Sequence, residues 1–527
     1  MQGKKDYQEK LFASFQLSER IPKDNFYRRL KESLQLDFLY KETEQYYGDC
    51  GQKSIDPVVF FKLCLVGYLE NIISDRKLMD HCSMRMDILY FLNHDIDEPL
   101  PWHSTLSRTR QLFPEELFER VFTQVLGMCV DKGMVSGHTQ AIDGAPVKAN
   151  ASMESLELKV PAEDLGDHLQ KVRYMSTPHR KAKVNKASKE QQTQSADKAA
   201  LDELNNRNNR WRKDQDQRPG NRSKEAKYTS NKTHYSPTDP DARISVKPGK
   251  ARKLNYQSQL SVDVDHHVIT HIGADLADKK DSQSLEDVVL KTKKRLNGHG
   301  LMLTTVLADT GYSSGENYAF LEAHGLIGYI PAHGTYKGGP EEFIYEKEHD
   351  RWLCKNGKYV TFRKVQKDKS RTPYGTGYNL KKRYLSKRSD CKGCPFKTEC
   401  IGKSHEKSFT ITYYKNEYDR AIERVNSKHG KRMKAKRQST VEPVFGTLTQ
   451  FMGMRKVNTK GLKQANKVML MAGTAYNIKK YLKYTQKLEK TLAKAMTGVG
   501  ENGKNILLSF FNAMRLILRP YPTSELS

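Results

Sequence analysis

Two aspartates follow short apolar runs in this 527-residue chain. Asp309 ends the run in "TVLADTGYSS", and Asp143 ends the run in "GHTQAIDGAPVKAN". A third acid, Glu442, sits in "QSTVEPVFGTLTQF". Each has an ordinary reading. An aspartate after a strand bonds turn amides, and a glutamate near a helix start is stabilised by the helix dipole. Neither reading explains the set of three, and carboxylates at strand ends are where α/β sheets gather chemistry. A second group is sulfur-bearing. "SDCKGCPFKTEC" supplies Cys391, Cys394 and Cys400, and Cys354 lies upstream beside a "KNGK" turn. Four thiolates could hold structural Zn²⁺ in a tetrahedral site. The C-x2-C pair is specific and the remaining spacing loose, so a reduced cluster or a lost site stays open. His324, His333 and His429 are isolated and read as polar surface residues.

The elements that must carry these acids follow from periodicity. "NYQSQLSVDVDHHVITHIGADLA" alternates on both sides of Asp265-His266, which predicts a hairpin with strands near 256–264 and 267–274. A helix capped by Ser282 follows, apolar at 285, 288, 289 and 296. Then come the strand ending on Asp309, a helix stopped by Gly325, and the strand "LIGYIPA". Strands alternating with helices after a hairpin predict an α/β layer with a mixed sheet. Glu442 is expected in the first turn of a helix capped by Ser439 or Thr440, where Pro443 is tolerated. Val441, Val444, Phe445 and Leu448 form its packed face. "GLKQANKVMLMAGTAYNIKKYLKYTQKL" reads as a long amphipathic helix closing the core.

Lysine and arginine number 90 against 62 acids, a formal charge of +28. That excess points to a polyanion, and a phosphate backbone is the usual one. The run "VVFFKLCLVGYL" contains Lys62 and is too short to span a bilayer. The N-terminus has no apolar h-region. The eight cysteines suit a reducing compartment. Residues 24 to 131 are apolar at helical spacing, with helix starts at Asp56, Ser74 and Ser104. Arg108 and Arg110 there are either solvated on a plain bundle or set on DNA phosphates and base edges. The tract 151–251 is basic and poor in large apolar residues. It reads as a flexible insertion that orders on DNA, with Lys181, Lys183, Arg207, Arg210 and Arg212 on phosphates. Lys434, Lys436, Arg437 and Arg455 flank Glu442 and suit backbone neutralisation.

In order, "AIDG", "LADTGYSS" and "TVEPVFG" resemble bacterial insertion-sequence transposases of the DDE class, and "HSTLSRTRQLF" looks like that family's helical N-terminal domain. The resemblance implies an RNase H-like mixed-sheet catalytic core with a helical N-terminal domain. The domains would be a helical DNA-binding domain at 1–135, a catalytic domain at 136–480, and a C-terminal helix and tail at 481–527. The catalytic domain would be interrupted by the basic insertion at 151–251 and a β-rich cysteine-bearing insertion at 335–430. Asp143, Asp309 and Glu442 would hold Mg²⁺ or Mn²⁺, hard cations that prefer oxygen ligands. Water would free a 3′-hydroxyl at the element end, and that hydroxyl would attack target DNA. The partners implied are double-stranded DNA, as terminal inverted repeats and target, and a second copy of the chain in the DNA complex. The implied place is the bacterial cytoplasm, at the nucleoid, with no membrane. One position departs. Related sequences often carry a lysine seven residues after the glutamate, where this chain has Thr449; Lys456 could supply that DNA contact. A same-fold metal-dependent nuclease, or an inactive or domesticated DNA-binding protein, are the alternatives.

Overall fold

A computed structural model describes residues 15–48, 54–158, 231, 234–245, 251–334, 336–372 and 375–497. The chain divides into two compact units. One comprises Met1–Val135, Gly446–Asn458 and Asn466–Ser527; the other comprises Ser136–Phe445 and Thr459–Ala465. Residues 446–458 and 466–480, expected in the catalytic domain, therefore fall in the first unit. Among the described residues no helix is long and apolar enough to cross a membrane.

The first unit begins with α1 (Leu17–Arg20), α2 (Phe26–Ser33), α3 (Phe38–Thr43), α4 (Pro57–Leu69), α5 (Asp75–Ser83), α6 (Met86–Leu92), α7 (His103–Leu112) and α8 (Glu115–Asp131). The Asp56 side chain accepts from the amides of Val58 and Val59, and Pro57 occupies the first turn of α4, where its missing N–H costs nothing. Phe60, Phe61, Phe113 and Phe118 pack ring against ring in the core. α7 starts two residues earlier than a Ser104 cap would place it, after Trp102, with no side-chain cap; Ser104 lies inside its first turn. Gly133, at φ 69°, follows α8.

The second unit is built on a mixed sheet. Its strands are β1 (Thr139–Lys148), then, after the short separate pair β2 (Glu157–Leu158) and β3 (His234–Tyr235), β4 (Arg243–Ser245), β5 (Lys253–Asp263), β6 (Ile269–Leu276), β7 (Thr305–Leu307) and β8 (Ile327–Tyr329). β6, β5, β1, β7 and β8 lie side by side in that order, and β4 pairs with the start of β5. β1, β5 and β6 are antiparallel neighbours, whereas β7 and β8 run parallel to β1. The predicted hairpin is present as β5 and β6. α9 (Leu285–Gly298) follows it, burying Leu285, Val288, Val289 and Leu296. Its N-terminal flank is Ser284, not Ser282, and the Ser284 hydroxyl donates to Asp275 instead of capping. α10 (Gly315–Ala323) is capped by Ser314 and ends before Gly325.

Within the 335–430 region, β9 (Ile344–Glu346), β10 (Arg351–Leu353), β11 (Tyr359–Thr372), β12 (Gly375–Ser386) and β13 (Ser408–Thr412) form a second, wholly antiparallel sheet. Its core is small: Phe343, Trp352, Val360, Tyr384 and Ile411. Asp350 ties it together, accepting from the hydroxyls of Tyr345 and Tyr384 and from the Lys382 ammonium. Two short helices, α11 (Arg388–Lys392) and α12 (Lys397–Cys400), lie between β12 and β13.

α13 (Lys415–Asn426) leads into α14 (Lys428–Phe451), and α15 (Leu462–Thr497) ends the described chain. α14 overturns one expectation. It starts at Lys428, so Glu442 lies deep inside it and not in a first turn. Two causes act together. "KHGKRMKAKRQ" is rich in strong helix formers. The Ser439 and Thr440 hydroxyls donate back to the Lys436 carbonyl, the mid-helix habit of these residues, instead of capping. Pro443 removes one helical hydrogen bond, yet Val441, Val444, Phe445 and Leu448 are all buried as expected and hold the helix through it.

Candidate functional site

Strand pairing brings the two aspartates together. β1 and β7 run parallel with Ala141 opposite Leu307. Residues two further along each chain, Asp143 and Asp309, keep the same parity and so belong to the same face. Asp143 is mid-strand, not near a strand end as expected, because β1 continues to Lys148 against β5. It stands where the neighbouring β7 has stopped. Asp309 lies just beyond β7, and its Oδ1 accepts from the Gly311 amide at 2.9 Å. The ordinary turn reading of this residue is therefore also correct.

A cation already stands between the two. Arg437, on α14, places Nη2 3.0 Å from Asp143 Oδ2 and 3.8 Å from Asp309 Oδ2. Its side chain is 15% exposed, and its Nε is buried with no hydrogen-bond partner among the described residues. Burial pushes the Asp143 carboxyl up to about 6. Arg437 and the Gly144 amide act downward on it, while Asp309 and Asp281 act upward.

Asp281 was not singled out by the sequence. Its carboxylate lies beside both glycines that flank the pair. A Cβ on Gly144 would come within 2.9 Å of Asp281 Oδ1 and 3.2 Å of the Tyr312 hydroxyl. A Cβ on Gly311 would come within 3.1 Å of Asp281 Oδ2 and 3.0 Å of Asp309 Oδ1. A side chain at Gly144 would displace the ends of Gln257 and Asp281. Gln257 donates to Asp281 at 3.0 Å, and Tyr312 donates to Gln259 at 2.7 Å. The Tyr312 hydroxyl is held well above its usual range, by burial first and then by Asp281, Asp143 and Asp309. The only sequence cue to Asp281 was its place before a helix, which reads equally as a cap.

Glu442 is exposed on α14. Among the described residues no three His, Cys, Asp or Glu side chains are grouped so as to hold a metal ion. Asp143 and Asp309 fit a divalent cation in donor type, being hard oxygen ligands, and they already share one positive charge.

The basic candidates divide. Arg108, Lys434 and Arg455 are exposed, and Lys436 and Lys456 half-buried. Arg110 does not project as expected: it is buried, with two nitrogens on the two oxygens of Asp75 at 2.9 and 2.8 Å. Lys181, Lys183, Arg207, Arg210 and Arg212 lie outside the described residues. His324, His333 and His429 are exposed, as expected.

The four cysteines are free thiols that line one cavity of about 30 Å³, roughly the volume of one water molecule in the liquid. Lys358, Lys397 and Lys407 line it too. The Lys358 amide faces Cys354 Sγ at 3.4 Å, and the Ser386 hydroxyl meets Cys391 Sγ at 3.2 Å. Burial raises the Cys400 thiol, with Lys407 acting against it.

Comparison with known families adds two matches. The model described as Transposase domain (DUF772) matches residues 15–112, which include Arg108 and Arg110. The model described as Transposase DDE domain matches residues 353–482, which include the four cysteines, Arg437 and Glu442 but neither Asp143 nor Asp309. No curated protein matches the chain. Residues 15–112 and 353–482 are thus each similar to a transposase-associated domain.

Proposed function

We propose that the protein is an insertion-sequence transposase. It cleaves the ends of its element and joins the freed 3′-hydroxyls to target DNA, using an RNase H-like core. The observation that carries this reading is the pair Asp143, on β1, and Asp309, just beyond the parallel neighbour β7, sharing one cation. The strand order of the mixed sheet and the net charge of +28 support it. Mg²⁺ or Mn²⁺ held there would activate the attacking oxygen and stabilise the leaving one. Asp143 and Asp309 would hold the ion, and Glu442 would complete the set once α14 shifts its exposed carboxylate inward. Arg437, released from the aspartates, would face phosphate oxygens, for which its planar fork is suited. Arg108, Lys434, Lys436, Arg455 and Lys456 would neutralise the DNA backbone, as would the basic tract 151–251. A second copy of the chain would serve the other element end.

The second reading, a DNA-binding protein that does not cut, gains from the absence of a three-acid group among the described residues. One experiment decides. The purified protein is incubated with a supercoiled plasmid carrying its gene and native flanks, with Mg²⁺ or with Ca²⁺. Mg²⁺-dependent nicks at two fixed boundaries, lost to background in D143N, D309N and E442Q while DNA retention persists, are the expected result. Retention without nicking would establish the second reading. Nicking that survives any one amide variant removes that residue from the site.

A further inference from the structure

We propose that Cys354, Cys391, Cys394 and Cys400 form a structural Zn²⁺ site that fastens the segment Arg388–Cys400 to the small antiparallel sheet. All four thiols line the same cavity, although they are separated by up to forty-six positions in sequence. Three of them, Cys354, Cys394 and Cys400, also line an adjoining one. Soft thiolates select zinc over the hard divalent ions that carboxylates hold. Four thiolates around Zn²⁺ leave a net double negative charge. The ammonium groups of Lys358, Lys397 and Lys407 on the cavity wall offset it, and Lys407 is already fixed by donating to the Cys400 carbonyl at 2.8 Å.

Cys354 is preset for the role. It sits in a tight turn closed by Gly357, at φ 66°, whose amide donates to the Cys354 carbonyl at 2.9 Å. The next amide, Lys358, points at the sulfur. That contact fixes the direction of the sulfur. The fold also needs the cross-link. α11 and α12 have five and four residues, far too few to hold helical structure by themselves. Among the described residues the core beneath them has five buried side chains, and domains with so little core commonly rely on a metal or disulfide staple. Among the described residues no three of the thiols are grouped to hold an ion, so binding requires the four sulfurs to close on the cavity they share.

The test uses the full chain, made in zinc-supplemented medium and purified under reducing conditions without chelator. Elemental analysis should find about one zinc per chain in wild type and in D143N, and less than about a tenth of that in C391S/C394S. D143N is included because it separates the thiols from the acid pair. Zinc returned to chelator-treated wild-type protein should slow amide hydrogen exchange across 388–402. Cobalt in its place should give the intense visible bands of tetrahedral thiolate ligation. These two measurements need no variant, so they stand if the double substitution fails to fold. Zinc below about a tenth per wild-type chain, cobalt bands lacking thiolate character, or zinc content unchanged in C391S/C394S would each overturn the site.

Discussion

Arg110 and Arg437 carry the same guanidinium, and both face aspartate, yet they are built differently. Arg110 sets two nitrogens on the two oxygens of one partner, Asp75, and both bonds are short. The carbonyl of the same residue is taken by the buried Lys467 ammonium at 2.9 Å. Arg437 spreads a single nitrogen over two acids, at 3.0 and 3.8 Å, and its buried Nε has no hydrogen-bond partner among the described residues. A two-pronged pair has the geometry of a strong charge-assisted interaction. A shared, half-satisfied one keeps a desolvation cost that another cation can relieve. The first arginine is a structural fastening, and the second is the counter-ion that a divalent cation would replace under the proposed function.

The largest effect expected from this contrast is at Arg110. R110M leaves the Asp75 charge without its partner in the helical unit, and should destabilise the protein by about 3–5 kcal/mol in urea unfolding. The double variant R110M/D75L removes both charges and should recover most of that loss. A single variant within experimental error of wild type would make Arg110 no more structural than Arg437, and the contrast would fail.

Why the sequence could not separate these two arginines is instructive. Both lie in basic helices and both read as DNA contacts. The partner of Arg110 is Asp75, at the start of another helix, and helical periodicity carries no record of which helices meet. Local signals were read well where local physics decides. The Asp56-Pro57 helix start, the hairpin around Asp265-His266 and the stops before Gly325 and after α8 all depend on neighbours in sequence. The link between Asp143 and Asp309 was legible only as two similar motifs; the parallel pairing of β1 with β7 is what puts them on one face. Asp281 was missed because an aspartate before a helix has an ordinary capping role. The start of α14 was missed because Ser439 and Thr440 have two uses, as caps or as donors to a preceding carbonyl, and the helix-forming run upstream, from Lys428, chose the second.

A smaller effect is expected at Arg437. R437Q removes the positive charge between Asp143 and Asp309, so an added divalent cation meets less competition. Mg²⁺ or Mn²⁺ should bind the chelator-treated protein about tenfold more tightly in calorimetry, a difference of about 1.4 kcal/mol. The same cation should raise the melting temperature more in R437Q than in wild type, since it replaces the missing counter-charge. R110K keeps the charge but loses the fork, and should leave metal affinity unchanged. Weaker metal binding in R437Q would mean that Arg437 orders the acids for the ion instead of standing in for it.

The most gradual effect is a pH slope, and it bears on the same acid pair. In the metal-free protein the Asp143 carboxyl is raised from the ordinary 3.8 to about 6, with burial the first cause. A raised acid favours the folded state while protonated. Its contribution is fully present below pH 3.8 and is lost as pH rises toward about 6, because the unfolded chain releases its proton first. Over that window Asp143 alone should lower stability by at most about 1.4 kcal/mol per pH unit. D143N cannot titrate, so its stability should fall less steeply than wild type between those limits, and the two slopes should coincide above pH 7. R437Q should steepen the slope and carry it to higher pH, since the charge that draws the carboxyl downward is gone. Chelator-treated samples melted in matched buffers across this range measure all three slopes. Parallel wild-type and D143N profiles would show that Asp143 titrates alike in the folded and unfolded chain, so that Arg437 offsets the effect of burial in full.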